Sequence, residues 1–166
     1  SNLLRLSRLE NQSAAENVIN FSLDEQLRRC ILLLEGQWST KPVELDIQLD
    51  RIDYRGDIEL LQQLWLNLLS NAIKFTDAGG VILFVGARKE SYGINLMVKV
   101  KDTGIGMSEK NIDALENTYN QVDTTRDRRA GGIGLGLAIS RKMIAKMNGH
   151  MHIESVPDAG TTVSII

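Results

Sequence analysis

The sequence predicts an α+β fold, a two-layer sandwich of helices on a sheet. Two observations carry that expectation. Apolar residues recur at helical spacing in three separated stretches. Between and after those stretches lie runs that alternate apolar with polar residues, joined by short turns. With 166 residues, the chain suits one domain, since independent cores run to about 100–150 residues.

Residues 1–16 place Leu3, Leu6 and Leu9 at helical spacing with charge between them, which reads as an amphipathic helix entering the domain. Val18 to Phe21 reads as a short strand. Ser22 followed by Glu25 resembles a capping box, ahead of Leu27, Ile31, Leu34 and Trp38 at i, i+4, i+7 and i+11. One helix is therefore expected, ending before Pro42. Val43, Leu45, Ile47 and Leu49 alternate as in a half-buried strand. Asp57 is placed to cap a long helix through Phe75, with Leu61, Leu64, Leu68 and Ile73 on its apolar face.

Strands near 81–88 and 93–102 follow, expected as a hairpin. Ser108 is set to cap a short helix to about Asn117, and 118–133, rich in Thr, Asp, Arg and Gly, reads as a mobile loop. A helix from about 134 to Asn148, capped by Gly149, precedes strands near 150–156 and 161–166 around a Pro157–Gly160 turn.

Composition narrows the function classes. With 21 acidic against 19 basic side chains, the net charge of −2 provides no cationic field for nucleic acid or acidic lipid. The one cysteine, Cys30, sits among Leu27, Ile31 and Leu34 and reads as a core residue in a reducing, cytoplasmic setting. No apolar run reaches the roughly 18 residues a membrane span needs. A start at Ser1 rather than methionine reads as an excised piece, with any membrane anchor of the intact protein lying outside it. Of 14 glycines, Gly36 and Gly56 stand alone and the rest fall between Gly79 and Gly160.

Three segments carry candidate chemistry. On the long helix Asn67, Asn71 and Lys74 are four and three residues apart and share nearly one face. Asparagine is a poor helix-interior residue. Either this is a solvated polar stripe, or an amide ligates a hard cation and the ammonium meets a phosphate. Asp102-Thr103-Gly104-Ile105-Gly106 follows a strand end, where a carboxylate can accept from an exocyclic amine and glycines let backbone approach a flat ring; the plain alternative is a turn with an Asp cap. Gly131-Gly132-Ile133-Gly134-Leu135-Gly136 opens a helix whose unpaired N–H groups suit a polyphosphate, or it serves as a hinge. It matches neither a Walker loop nor G-x-G-x-x-G. Asn71 to Asp102 spans 31 positions and Asp102 to Gly132 spans 30.

In that order the segments resemble the catalytic, ATP-binding domain of sensor histidine kinases, within the superfamily that also holds gyrase, Hsp90 and the mismatch-repair protein MutL. Asn67 to Phe75 is similar to the family's asparagine box, Asp102 to Met107 to its first glycine box, and Gly132 to Ser140 to its second. The resemblance implies a Bergerat-type mixed sheet with helices on one face and a mobile ATP lid over about 118–133. It implies that residues 1–16 are the end of a dimerisation helix and 17–166 the catalytic domain. ATP and Mg²⁺ are the implied ligands. Asn71 would hold Mg²⁺, Lys74 a phosphate oxygen and Asp102 the adenine amine. Phe75 would lie near the adenine or ribose, and Asn67, Gly104, Ile105, Gly106, Met107 and Thr161 would also belong to the nucleotide site. Gly132, Gly134 and Gly136 would wrap the phosphates, with Ile133, Leu135 and Leu137 beside them in the nucleotide site, and Arg126, Arg128 or Arg129 would reach the γ-phosphate.

Asn67 and Lys74 would serve the transfer step. Hydrolysing superfamily members carry a Glu at the place of Asn67, and an amide cannot act as a general base. Asn67 thus favours transfer to a protein side chain over hydrolysis. The family's phenylalanine-containing box is replaced by Leu115 to Asp123, with Leu115 and Tyr119 as stand-ins for its aromatics. His150 and His152 read as strand residues, so the acceptor histidine is expected on a separate dimerisation domain, with a response regulator downstream and a homodimeric intact kinase. The alternatives are a regulatory nucleotide-binding module without catalysis and an ATP hydrolase.

Overall fold

A computed structural model describes residues 18–117 and 131–166, with the backbone course alone for 114–117 and 131–136. The expected helix over 1–16 and most of the expected lid lie outside the described residues. The elements are β1 (Val18–Ser22), α1 (Leu23–Leu33), α2 (Glu35–Trp38), β2 (Val43–Leu49), β3 (Asp53–Asp57), α3 (Ile58–Lys74), β4 (Gly79–Glu90), β5 (Gly93–Asp102), α4 (Glu109–Asn117), α5 (Gly131–Lys146), β6 (Met151–Val156) and β7 (Gly160–Ile165).

Five strands form a mixed sheet in the order β2-β4-β5-β7-β6, with β2 parallel to β4 and the other pairs antiparallel. The parallel pair requires a crossover, which β3 and α3 supply. Alternation assigns the faces: Val81, Leu83 and Val85 of β4, Val98 and Val100 of β5, and Val163 and Ile165 of β7 are buried. Against them pack Leu23 and Leu27 of α1, Leu64, Trp65, Leu68 and Ile73 of α3, and Ile139, Met143 and Ile144 of α5. Helix α3 lies between α1 and α5. The parity that buries Val98 and Val100 also turns Asp102 inward, at the end of β5 between Val81 and Thr161.

Four local expectations are corrected. Ser22 does precede α1, but its hydroxyl donates to Asp24 rather than capping the helix, and Glu25 pairs with Arg28. The single helix to Trp38 is two, broken at Leu34: the Ile31 carbonyl accepts from Leu34 N–H and from the Trp38 indole, and is no longer available to continue the ladder. Strand β3 went unpredicted because Asp53-Tyr54-Arg55-Gly56-Asp57 has no apolar alternation. It pairs with β1 in a separate ribbon in which Phe21 and Tyr54 meet edge to face at 6.1 Å. At the end of α5 the left-handed residue is Asn148 (φ 59°), not Gly149. Asn148 N–H donates to the Ala145 carbonyl and Gly149 N–H to that of Ile144, a Schellman arrangement.

Candidate functional site

The Asp57 carboxylate accepts from Leu60 N–H and starts α3, as the sequence predicts. The seventeen-residue helix carries Asn71 and Lys74 in its last turn, at the C-terminal end. That end is held from several sides. Phe75 N–H donates to the Asn71 carbonyl and the Thr76 hydroxyl to that of Ala72 (2.7 Å). The Lys41 ammonium, arriving from ahead of β2, donates to the carbonyls of Ile73 (3.1 Å) and Lys74 (3.4 Å). A cation there also faces the negative end of the helix dipole.

The loop after β5 is fastened to that helix end. Ile105 N–H donates to the Phe75 carbonyl, and a Cβ on Gly104 would run into the same carbonyl. Gly106 has φ +68° and faces the Val156 carbonyl with no room for a side chain. These glycines are required by close approach of protein backbone, so the sequence-based reason, access to a flat ring, is not where their missing Cβ atoms face.

Between helix end and loop lies an open pocket enclosing about 440 Å³ including its mouth. Leu68, Asn71, Ala72 and Phe75 line it from α3, Val100 and Asp102 from β5, and Ile105, Gly106 and Met107 from the loop. Leu137 of α5 with Thr161 and Val163 of β7 complete it. It is a mainly apolar slot with one carboxylate. Asp102 Oδ1 accepts from Gly104 N–H (2.9 Å) and Thr161 N–H (3.3 Å), while Oδ2 accepts nothing from the described residues. Burial raises the Asp102 pKa above its ordinary value, against the opposing pull of those two N–H groups.

Asn71 is the second polar group in the pocket. Its Nδ2 is buried and has no hydrogen-bond partner among the described residues, an arrangement rare in folded proteins unless a ligand completes it.

Of the residues the sequence singled out, Asn71, Phe75, Asp102, Ile105, Gly106, Met107, Leu137 and Thr161 meet at this pocket. Gly104 contributes its backbone N–H. Asn67 and Lys74 do not line it: Asn67 is half-buried one turn earlier on α3, and Lys74 is exposed, its Nζ 5.4 Å from the Phe75 ring centroid. Gly132, Ile133, Gly134, Leu135 and Gly136 fall in the first turns of α5, which starts at Gly131, three residues ahead of the predicted start. Arg126, Arg128, Arg129 and Tyr119 lie outside the described residues.

Sequence reasoning missed Lys41, Thr76 and Ser155. Ser155 Oγ accepts from Met107 N–H (2.7 Å) and donates to the Gly160 carbonyl (3.0 Å), so the Thr161 hydroxyl is the donor in their 2.8 Å pair. This network joins the loop to β7, and no local sequence signal announces it. Among the described residues no three His, Cys, Asp or Glu side chains cluster as a metal site, and no helix is long and apolar enough to cross a membrane.

Residues 56–166 match the family model described as histidine kinase-, DNA gyrase B- and HSP90-like ATPase. The chain belongs to this family. Its relatives include the circadian input-output histidine kinase CikA of Synechococcus elongatus, 36% identical over 169 residues covering 99% of this chain and 22% of the relative. The signal transduction histidine-protein kinase BarA of Escherichia coli is 36% identical over 166 residues, 98% of this chain and 18% of the relative.

The chain thus spans about a fifth of the length of the curated relatives it matches. Among solved structures, full-length ShkA in complex with AMPPNP superposes with a TM-score of 0.75 at 27% identity, over 99% of this chain and 34% of that one. The catalytic domain of the histidine kinase ThkA, at 21% identity and a TM-score of 0.71 over 90% of this chain and 94% of that one, shares the fold. The mixed sheet under helices is therefore that of a histidine-kinase-type ATP-binding domain.

Proposed function

We propose that this domain binds Mg·ATP in the Asp102 pocket and donates the γ-phosphoryl group to a histidine on a separate dimerisation domain, for onward transfer to a response regulator. The observation that carries the reading is that one apolar slot holds both Asp102 Oδ2, which accepts nothing from the described residues, and Asn71 Nδ2, which has no partner among them. The slot takes the purine ring between Phe75, Ile105, Met107 and Leu137. Oδ2 accepts from the exocyclic amine of adenine. Oδ1, bound to two backbone N–H groups, cannot swing away.

The Asn71 amide oxygen and the nucleotide phosphates would hold the cation jointly, leaving the unpartnered Nδ2 to donate to a phosphate oxygen. With no cluster of three His, Cys, Asp or Glu side chains among the described residues, that fits a hard ion that keeps much of its oxygen shell from phosphate and water. When bound, Mg²⁺ offsets the negative charge on the transferring group. Lys74, exposed beside Phe75 at the helix end, supplies a cation within reach of phosphate leaving the slot.

By the resemblance, Asn67 takes the place of the general base that activates water in hydrolysing relatives, and its amide cannot take a proton. By the resemblance the acceptor lies on a separate dimerisation domain, and His150 and His152 are read as ordinary residues at and just ahead of β6, His152 beside Glu154 (3.2 Å). The test is incubation with γ-labelled ATP, alone and with a histidine-bearing dimerisation domain from a relative. Label on the added domain and none on this chain is expected. Acid-labile label on the chain alone, or steady phosphate release above roughly 1 per second, within the usual enzyme range, would overturn the proposal.

A further inference from the structure

Val81, Asp102, Thr161 and Ser155 stand in one row across β4, β5, β7 and β6, each the register partner of the next. Register partners project to one face of a sheet, so the three polar side chains share the face that carries the core. Asp102 and Thr161 line the slot; Ser155, one strand further out, does not. Its Oγ nevertheless has a full set of partners. It donates to the Gly160 carbonyl (3.0 Å) and accepts from Met107 N–H (2.7 Å) and from the Thr161 hydroxyl (2.8 Å). The consequence falls on Thr161. Its one hydroxyl proton is committed to Ser155, so towards the slot its oxygen can only accept.

We infer that Ser155 is a positioning residue for base selection. By holding the Thr161 hydroxyl as an acceptor beside Asp102 Oδ2, it tunes the slot to a base that carries an exocyclic amine and against one that carries a keto oxygen there. This rests on the base occupying the Asp102 slot, and adds a second acceptor to it. The N–H bonds of an amino group diverge by about 120°, so acceptors about 2.9 Å from the nitrogen along each stand about 5 Å apart. That is the spacing of register partners across antiparallel strands, about 4.5–5.5 Å. A keto oxygen in the same place would face two acceptors with no proton to share, and an unmade hydrogen bond in a closed slot is costly.

The turn that follows Ser155 anchors the slot's loop separately. Asp158 N–H donates to the Ile105 carbonyl (2.7 Å), and Gly106 lies against the Val156 carbonyl. The loop therefore keeps a hold on the turn when the Ser155 hydroxyl is removed, which separates hydroxyl polarity from loop placement.

Calorimetric titration with ATP and with inosine triphosphate, which carries a 6-oxo group where ATP carries the amine, tests the inference. Wild type is expected to favour ATP. Ser155→Ala should reduce that preference roughly 2- to 12-fold, the worth of one neutral hydrogen bond, because the released Thr161 proton can then donate to the keto oxygen. A merely structural contact would weaken both nucleotides alike. In a Thr161→Val background, Ser155→Ala should change the ratio no further. A wild-type ratio in Ser155→Ala, or a ratio that still falls without the Thr161 hydroxyl, would overturn the inference. Asp102→Ala tells the two readings apart. If it binds ATP as tightly as wild type, the base is not in the slot and both fall; if it binds ATP weakly while Ser155→Ala keeps the wild-type ratio, the role of Ser155 alone falls.

Discussion

Asp102 works against the stability of the domain it serves. Burial raises its folded pKa, so the native state holds the proton more tightly than the unfolded chain. The associated stability is present at pH below the unfolded value and lost as pH rises through the folded one. At pH 7 a buried carboxylate is therefore a cost, and Asp102→Asn is expected to raise the melting temperature while weakening nucleotide binding. The melting-temperature gap between variant and wild type should shrink as pH falls, because wild-type Asp102 then protonates; a gap that widens in acid would contradict this. Asp24 has the opposite sign. Burial opposes its ionisation, but hydrogen bonds from Ser22, Arg28 and Ile52 N–H outweigh that and hold its pKa at about 2. Its contribution is present above the ordinary value of 3.8 and is lost as pH falls through about 2, so Asp24→Asn should destabilise the domain at neutral pH in a melting experiment. At this scale the sequence displayed Asn71 as an odd residue for a helix interior and Asp102 as a carboxylate at a strand end. Ser155 and Thr76 were illegible, because their partners are distant or backbone.

The end of α3 is the element on which the site depends. Lys41 donates to two of its last carbonyls, so Lys41→Met is expected to cost about 1–2 kcal/mol, the net worth of a charged hydrogen bond and a dipole interaction. ATP affinity should fall as well, because the turn that presents Asn71 and Phe75 loosens. Lys41→Arg should restore both, and calorimetric titration with thermal melts separates them. At the other end, Asp57→Ala should cost about 1 kcal/mol through loss of the N-cap with ATP affinity unchanged. Helix α3 and the β4–β5 hairpin were readable because long periodic runs and turn residues are local signals. Strand β3 and the break at Leu34 were not, since one depends on pairing with β1 and the other on an indole reaching back seven residues.

For the whole molecule, strand parity, helix length and two tight glycine contacts converge on one slot. That Asn71 and Asp102 belong to one proposed base site was legible from the order of the segments that carry them, while the apolar walls, Leu68, Val100 and Val163, follow only once the sheet register is known. The proposed division of labour puts nucleotide and cation on this domain and the acceptor histidine on another. That division rests on Asp102 recognising adenine, which calorimetric titration of ATP into wild type and Asp102→Ala, each with and without Mg²⁺, tests most directly. Loss of a hydrogen bond to a charged group, about 1.5–3 kcal/mol, predicts roughly 10- to 150-fold weaker binding by the variant. Mg²⁺ should tighten binding to wild type. Equal ATP affinity in the two proteins would contradict the adenine assignment, and the proposed chemistry with it.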